Sequence, residues 1–319
     1  MERAKLLKTS FGVVCAALLV FLVVNGTIID RKLEQIARPS RLFNLQLIES
    51  QLPARPEWEA KLSPDHDRFF YVVSQQALSW VGRGANAFVF ATGDGKYVVK
   101  FLPAGKMPAA ESRGLFQKLF GGKPKSRKAL QKLDEACVSS RICFDELRDE
   151  TGLVYVHLNR TKAQIHGLKL ADSFGQSQRV CGDDTCFVAQ KKAQLLIPTL
   201  THLMDRGDIE GAQSRIDQVF ALLTALARKG YVDGDENLIA NNNIGFLEDR
   251  AIYLDTFHFF RVKHLDILER MRYECQQRLL PLEKWIAATY PELSAYYSQK
   301  RSDTLMLLAS EKKAAAPAC

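Results

Sequence analysis

Residues 230–257 read GYVDGDENLIANNNIGFLEDRAIYLDTF, and the fold turns on how this stretch is understood. An acidic turn, Asp233-Gly234-Asp235, precedes an asparagine run, Asn241-Asn242-Asn243. Two short apolar runs, Ile244 to Leu247 and Ala251 to Leu254, flank a polar turn, Glu248-Asp249-Arg250. Apolar runs of that length around a polar turn predict a β-hairpin. Such a hairpin holds Asn243 at its start and Asp255 at its end, so both can face one point with the loop carboxylates beside them. Hard oxygen donors gathered in this way suit Mg²⁺ together with a phosphate. The same composition also makes an ordinary exposed hairpin, because Asn, Asp and Gly favour turns. The upstream sequence decides between the two.

Upstream, Trp80 to Phe90 reads as strand, glycine turn, strand. Gly93-Asp94-Gly95 is a second tight turn, and Lys96 to Leu102 is a third strand. Turns this short imply an antiparallel meander. Lys100 stands among apolar neighbours near the end of the third strand. A strand lysine is commonly solvated, its stem lying along apolar surface. Across the hairpin it can also reach whatever is held under the glycine turn, where Gly82 and Gly84 let backbone N–H groups approach a phosphate. Residues 126–150 have helical apolar spacing at Leu130, Leu133, Cys137, Ile142 and Leu147. Leu168 to Asp172 and Cys186 to Lys191 read as two further strands, which gives a five-stranded amino-terminal sheet. Residues 198–206 and 208–229 read as helices, the second with a broad apolar face and a Lys229-Gly230 stop. Residues 263–299 give two or three more helices around Leu265, Leu268, Met271, Leu279, Leu282, Trp285 and Ile286. The expected fold class is α+β.

Taken in this order, the parts resemble the protein-kinase-like superfamily over about residues 69–290. Gly82 to Val89 looks like the glycine-rich loop, with Ala87 where the third glycine usually stands. Val98-Val99-Lys100 is similar to the strand that carries the phosphate-binding lysine. Asn243 and Asp255 are similar to the two metal ligands, and their twelve-residue separation suits a kinase-like hairpin. The resemblance implies a two-lobed fold, with a five-stranded antiparallel amino-terminal lobe at 69–192 and a helical carboxy-terminal lobe at 193–310. It implies ATP and Mg²⁺ as cofactors and phosphoryl transfer to a protein or small-molecule hydroxyl. Gly82, Gly84, Val89 and Lys100 would surround the nucleotide, and backbone groups of the hinge from Gln190 to Ala193 would meet its base. Asn243 and Asp255 would hold the metal. A glutamate on the 126–150 helix would pair with Lys100; Glu135 and Glu146 are the candidates. Glu146 is preferred, because it lies eleven residues before His157-Leu158-Asn159, which resembles the turn that follows that helix. Asp233 or Asp235 would be the base.

The sequence also departs from the family pattern. The family's catalytic Asp stands five residues before the metal-binding Asn, where this chain has Leu238; Asp233 and Asp235 lie ten and eight residues before Asn243. Val232 replaces the family Arg before the Asp, and Thr256-Phe257 replaces Phe-Gly. No Ala-Pro-Glu segment follows Asp255. These departures keep a second expectation open, a pseudokinase acting as a nucleotide-binding scaffold at the membrane.

Composition bounds the partners. The formal charge is +8, but RNA-binding aromatic motifs and zinc-type Cys/His spacing are absent, so no nucleic-acid partner is expected. Residues 9–29 carry no charged side chain. Residues 1–30 read as a signal-like segment or a membrane anchor, and the reading preferred is that residues 11–29 cross the bilayer as an uncleaved single-pass anchor. Basic residues flank both ends of this span, so the charge-bias rule gives no orientation. Nucleotide use implies a cytosolic domain. Residues 31–68 read as a juxtamembrane connector, the basic stretch at 103–128 as a solvated loop, and 311–319 as a disordered tail. Cys181 and Cys186 flank a turn; they read either as a pair in an oxidising compartment or as two reduced thiols in neighbouring strands.

Overall fold

The computed structural model describes residues 47–61, 69, 71, 73, 75–84, 86–106, 125–162, 164–165, 167–235, 238, 243–263 and 266–315. The expected membrane span, the connector up to residue 46, most of the 103–128 stretch, and Asn241 and Asn242 lie outside these residues. Among the described residues no helix is long and apolar enough to cross a membrane.

Strands β1 (Leu78–Arg83), β2 (Phe88–Thr92) and β3 (Tyr97–Phe101) form the meander that the glycine turns predict. Gly95 closes the second turn at φ 69°, a backbone state that strains any residue with a side chain. Alternation along the strands sets their faces. Phe88 lies opposite Phe101 and Phe90 opposite Val99, and all four are buried. Val89 lies opposite Lys100, so these two share the other face.

Four further strands join this sheet: β4 (Leu153–His157), β5 (Leu168–Ala171), β6 (Ser177–Val180) and β7 (Phe187–Lys191). The order is β4-β7-β3-β2-β1-β5-β6, with β1 and β5 parallel and the other pairs antiparallel. The expected five-stranded antiparallel sheet is therefore corrected to a seven-stranded mixed one. Five antiparallel strands do lie side by side within it, but β4 completes that set and β5 does not. Two local facts hid the extra strands. Gly152, at φ 63°, turns the chain from helix straight into β4, so no loop composition marks the change. The first three residues of β6 are exposed, so no apolar alternation marks that strand.

Helices α1 (Lys125–Glu146) and α2 (Arg148–Thr151) cover the predicted 126–150 helix, broken at Leu147. They are followed by α3 (Leu196–Asp205) and α4 (Ile209–Lys229). The Asp208 carboxylate caps α4 by accepting from the Gly211 N–H at 2.8 Å, and Gly230 ends it at φ 76°. The α4 face bearing Ile216, Val219, Phe220, Leu223 and Leu226 is buried. Beyond it lie α5 (Ile267–Tyr273), a π turn at Glu274–Arg278, α6 (Leu280–Thr289) and α7 (Ser294–Ala315). Residues 311–315, expected to be disordered, are helical. Ala, Glu and Lys favour the helix, and Arg228–Glu311 at 2.6 Å and Lys312–Asp266 tie down this end.

Cys181 and Cys186 are both free thiols on either side of a 3₁₀ turn at Gly182–Asp184. Cys181 is exposed, whereas Cys186 is buried with its Sγ 3.6 Å from that of Cys137 on α1. Two small sheets complete the fold. In one, β8 (Gln194–Leu195), β10 (Ile244–Phe246) and β11 (Ala251–Tyr253) lie in the order β11-β10-β8. In the other, β9 (Tyr231–Asp233) pairs with β12 (Phe259–Arg261).

Candidate functional site

The β10–β11 hairpin forms where the sequence predicts it, with Ile244 opposite Tyr253. Its ladder runs one step further, the Leu254 N–H donating to the Asn243 carbonyl at 2.7 Å. This brings Asn243, just before β10, near Asp255, just after β11. The face of β2 and β3 that carries Val89 and Lys100 stands across from them, and the Lys100 ammonium donates to the Leu254 carbonyl. A cavity of about 590 Å³ lies between, lined by Gly84, Ala87, Val89 and Lys100 on one side and by Asp235, Asn243, Leu254 and Asp255 on the other. Loss of water around the Lys100 ammonium pulls its pKa down to about 8, with the Asp255 carboxylate opposing the fall.

The two candidate bases occupy different environments. Asp233, with a side chain 2 % exposed, holds Arg278 at 2.6 Å. Its Oδ1 accepts the Asp235 N–H at 3.1 Å. Arg278 also donates to both carboxylate oxygens of Glu274, at 3.0 and 3.2 Å. Burial pushes the Asp233 carboxyl above the usual carboxylate range, against the pull of Arg278. Asp233 is not among the residues lining the cavity, so of the two only Asp235 faces it. Asp235 accepts from the Asn243 amide at 2.8 Å.

Neither glutamate expected to pair with Lys100 reaches it. Glu146 is exposed at the end of α1, 4.0 Å from Arg261. It also accepts from the Tyr231 hydroxyl, whose pKa burial and this carboxylate push up to about 12. Glu135 is exposed and accepts from Gln131 at 2.9 Å. What α1 offers the site is Ser139. Its hydroxyl donates to the Thr256 carbonyl at 2.8 Å and accepts from the Phe259 N–H at 2.6 Å, which pins the segment after Asp255. The signal in the sequence is the run of small buried residues Ala136, Ser139, Ser140 and Cys143 along one helix face.

One expected nucleotide contact is also corrected. Gly82 lies in β1 at a bulge in its pairing with β2 and does not line the cavity. The Gln190 side chain is fully buried, donating to the Thr151 carbonyl at 2.6 Å and the Tyr253 carbonyl at 2.7 Å. It ties the large sheet to the hairpin and does not face the cavity. His258, which sequence reasoning missed, does line it. Its ring is hydrogen-bonded to the Asn86 side chain at 3.1 Å, linking the glycine turn to the segment after Asp255.

No family model and no curated protein matches this chain. It is similar in structure to the bifunctional kinase-methyltransferase WbdD. A medium-resolution structure of that protein gives a TM-score of 0.31 and 12% identity over 71% of this chain and 47% of that chain. The structure of monomeric WbdD gives 0.33 and 12% identity over 66% and 44%. The chain thus spans less than half the length of these two solved structures.

Among the described residues no three His, Cys, Asp or Glu side chains gather as a metal site of their own. The cavity instead offers the carboxylates of Asp235 and Asp255 and the amide of Asn243, with one ammonium opposite. That donor set fits Mg²⁺, which is commonly bound through one or two carboxylates while phosphate oxygens and water fill its remaining positions.

Proposed function

We propose that this chain binds ATP with Mg²⁺ in the cavity between β2–β3 and the β10–β11 hairpin and transfers the terminal phosphoryl group to a hydroxyl of a protein or small molecule. The reading carries with it a two-lobed, kinase-like division at about residue 193. The observation behind it is that Lys100, Asp235, Asn243 and Asp255, from separate segments, line one cavity. Lys100 holds phosphate oxygens by charge. Asn243 and Asp255 hold the Mg²⁺, which neutralises phosphate charge when bound. Asp235 accepts the proton of the attacking hydroxyl, held at the end of a short, hydrogen-bonded turn. Positioning and charge complementarity supply most of the rate in chemistry of this type. The charge-free run at residues 11–29 supports a single-pass membrane tether, with the domain on the cytosolic side where the nucleotide is.

A second reading is nucleotide binding without transfer. It is favoured by the partners of Lys100, which are a backbone carbonyl and Asp255 with no helix glutamate among the described residues. The deciding experiment is calorimetry and phosphoryl transfer with ATP and Mg²⁺ on the detergent-solubilised full chain. Lys100→Ala should weaken binding by about 2–5 kcal/mol. Asp235→Asn should bind as wild type and lose about 10²–10⁴-fold in turnover. Wild-type binding with no turnover over a broad acceptor panel selects the second reading; no nucleotide binding at all overturns both.

A further inference from the structure

A second cavity, of about 630 Å³, lies at the opposite ends of the elements that build the first. It is reached from Lys96, not Lys100, on the β3 side and from the Leu247–Arg250 turn of the hairpin, not from Asn243 and Asp255. The two cavities share no lining residue. Five cationic side chains line the second, Lys96, Lys191, Lys192, Arg215 and Arg250, against two carboxylates, Glu248 and Asp249.

Two of the cations belong to the wall. Arg215, from α4, donates to the Leu247 and Glu248 carbonyls at 3.1 and 3.3 Å and lies over the Phe246 ring at 5.0 Å. Arg250 is 3.1 Å from the Asp249 carboxylate and so neutralises it. Glu248 is then left to face three lysines. The sheet fixes where those lysines start. Tyr97 pairs with Lys191, and the Lys192 N–H donates to the Lys96 carbonyl at 2.8 Å, so Lys96 and Lys192 are apposed across two strands. Like charges at apposed strand positions repel. Asp94, in the neighbouring turn, offsets part of the charge on Lys96. Among the described residues none of the three ammonium groups is in an ion pair. All three lysines are exposed, so each can turn toward a ligand.

We propose that this second cavity binds a multiply phosphorylated anion, either a soluble polyphosphate ester or the phosphorylated headgroup of a lipid. Three mobile point charges over a concave wall match several phosphate groups better than one planar carboxylate, for which a guanidinium fork is the better partner. The ligand relieves the Lys96–Lys192 repulsion and bridges β3 and β7 to α4 and the hairpin turn. The proposal stands apart from the nucleotide reading of the first cavity.

The test uses the detergent-solubilised full chain carrying Lys100→Ala, which takes the phosphate-binding cation out of the first cavity, and tripolyphosphate as the calorimetric probe. One equivalent should still bind. Adding Lys191→Gln and Lys192→Gln should weaken that binding at least about tenfold while the melting temperature stays unchanged, because both side chains are exposed. Inositol trisphosphate, a soluble phosphate ester, and dioctanoyl phosphatidylinositol bisphosphate, the same headgroup on a water-soluble lipid, are titrated in parallel. Tighter binding of the acylated compound supports the lipid source, and equal or tighter binding of inositol trisphosphate supports the soluble ester. If the Lys100→Ala chain binds none of these probes, or binds them equally well with and without Lys191 and Lys192, the proposal is wrong.

Discussion

Asp233→Ala should unfold this protein far more readily than Asp235→Ala, although the two residues are separated only by Gly234. Asp233 and Arg278 are each 2 % exposed at the side chain and 2.6 Å apart. Removing one partner of a buried pair costs about 3–5 kcal/mol, because the other charge stays buried without compensation. Glu274 remains at 3.0 and 3.2 Å from Arg278, which places the loss at the low end, about 3 kcal/mol. That is roughly two orders of magnitude in the folding equilibrium. Asp235 is half-buried and accepts from the Asn243 amide, a bond whose loss costs about 1 kcal/mol. Urea unfolding of both variants gives the comparison directly. A third variant, Arg278→Met, supplies the pH dependence. Asp233 is then buried without its cation, so its carboxyl is raised further above its unfolded value near about 3.9. A raised group contributes stability at low pH and loses it as pH rises through the folded pKa. The deficit of Arg278→Met should therefore shrink as pH falls toward about 4. Equal urea midpoints for Asp233→Ala and Asp235→Ala would refute the assignment of Asp233 to the buried ion pair.

Lys100 gives a prediction in pH as well. Its ammonium is lost as pH rises through about 8, and phosphate requires the charged form. ATP affinity should therefore fall above that pH, approaching about tenfold per unit, with proton uptake on binding visible by calorimetry in buffers of different ionisation enthalpy. Affinity that stays flat well above pH 8 would contradict it. Gly245→Ala tests the packing behind the site. A Cβ there would lie 2.8 Å from the Gln194 carbonyl oxygen, 3.0 Å from the Ala193 Cβ and 3.1 Å from Leu254, which lines the cavity. The strain should cost about 1–3 kcal/mol and lower the melting temperature; an unchanged melting temperature would show that β8 and β10 are less tightly apposed.

Much of this protein is legible in the sequence because the forces that shape it act over a few residues. Helix α4 follows from its apolar spacing and the Gly230 stop. The β10–β11 hairpin follows from two apolar runs around Glu248-Asp249-Arg250. The period of two along β2 and β3 sends Val89 and Lys100 to the same face once Phe88, Phe90, Val99 and Phe101 are assigned to the core. The tertiary structure alone decided what depends on distant partners. Arg278, 45 residues downstream, holds Asp233 in a buried ion pair outside the cavity that Asp235 lines. Ser139 reaches the Thr256 carbonyl across 117 residues, while Glu146, which has the composition expected of a lysine partner, is directed toward Tyr231 and Arg261. The β5–β6 hairpin joins the free edge of β1 in parallel, a pairing with no turn to announce it. Each of these outcomes depends on which side chain meets a buried charge or an open strand edge once the chain is folded, and no local periodicity encodes that choice.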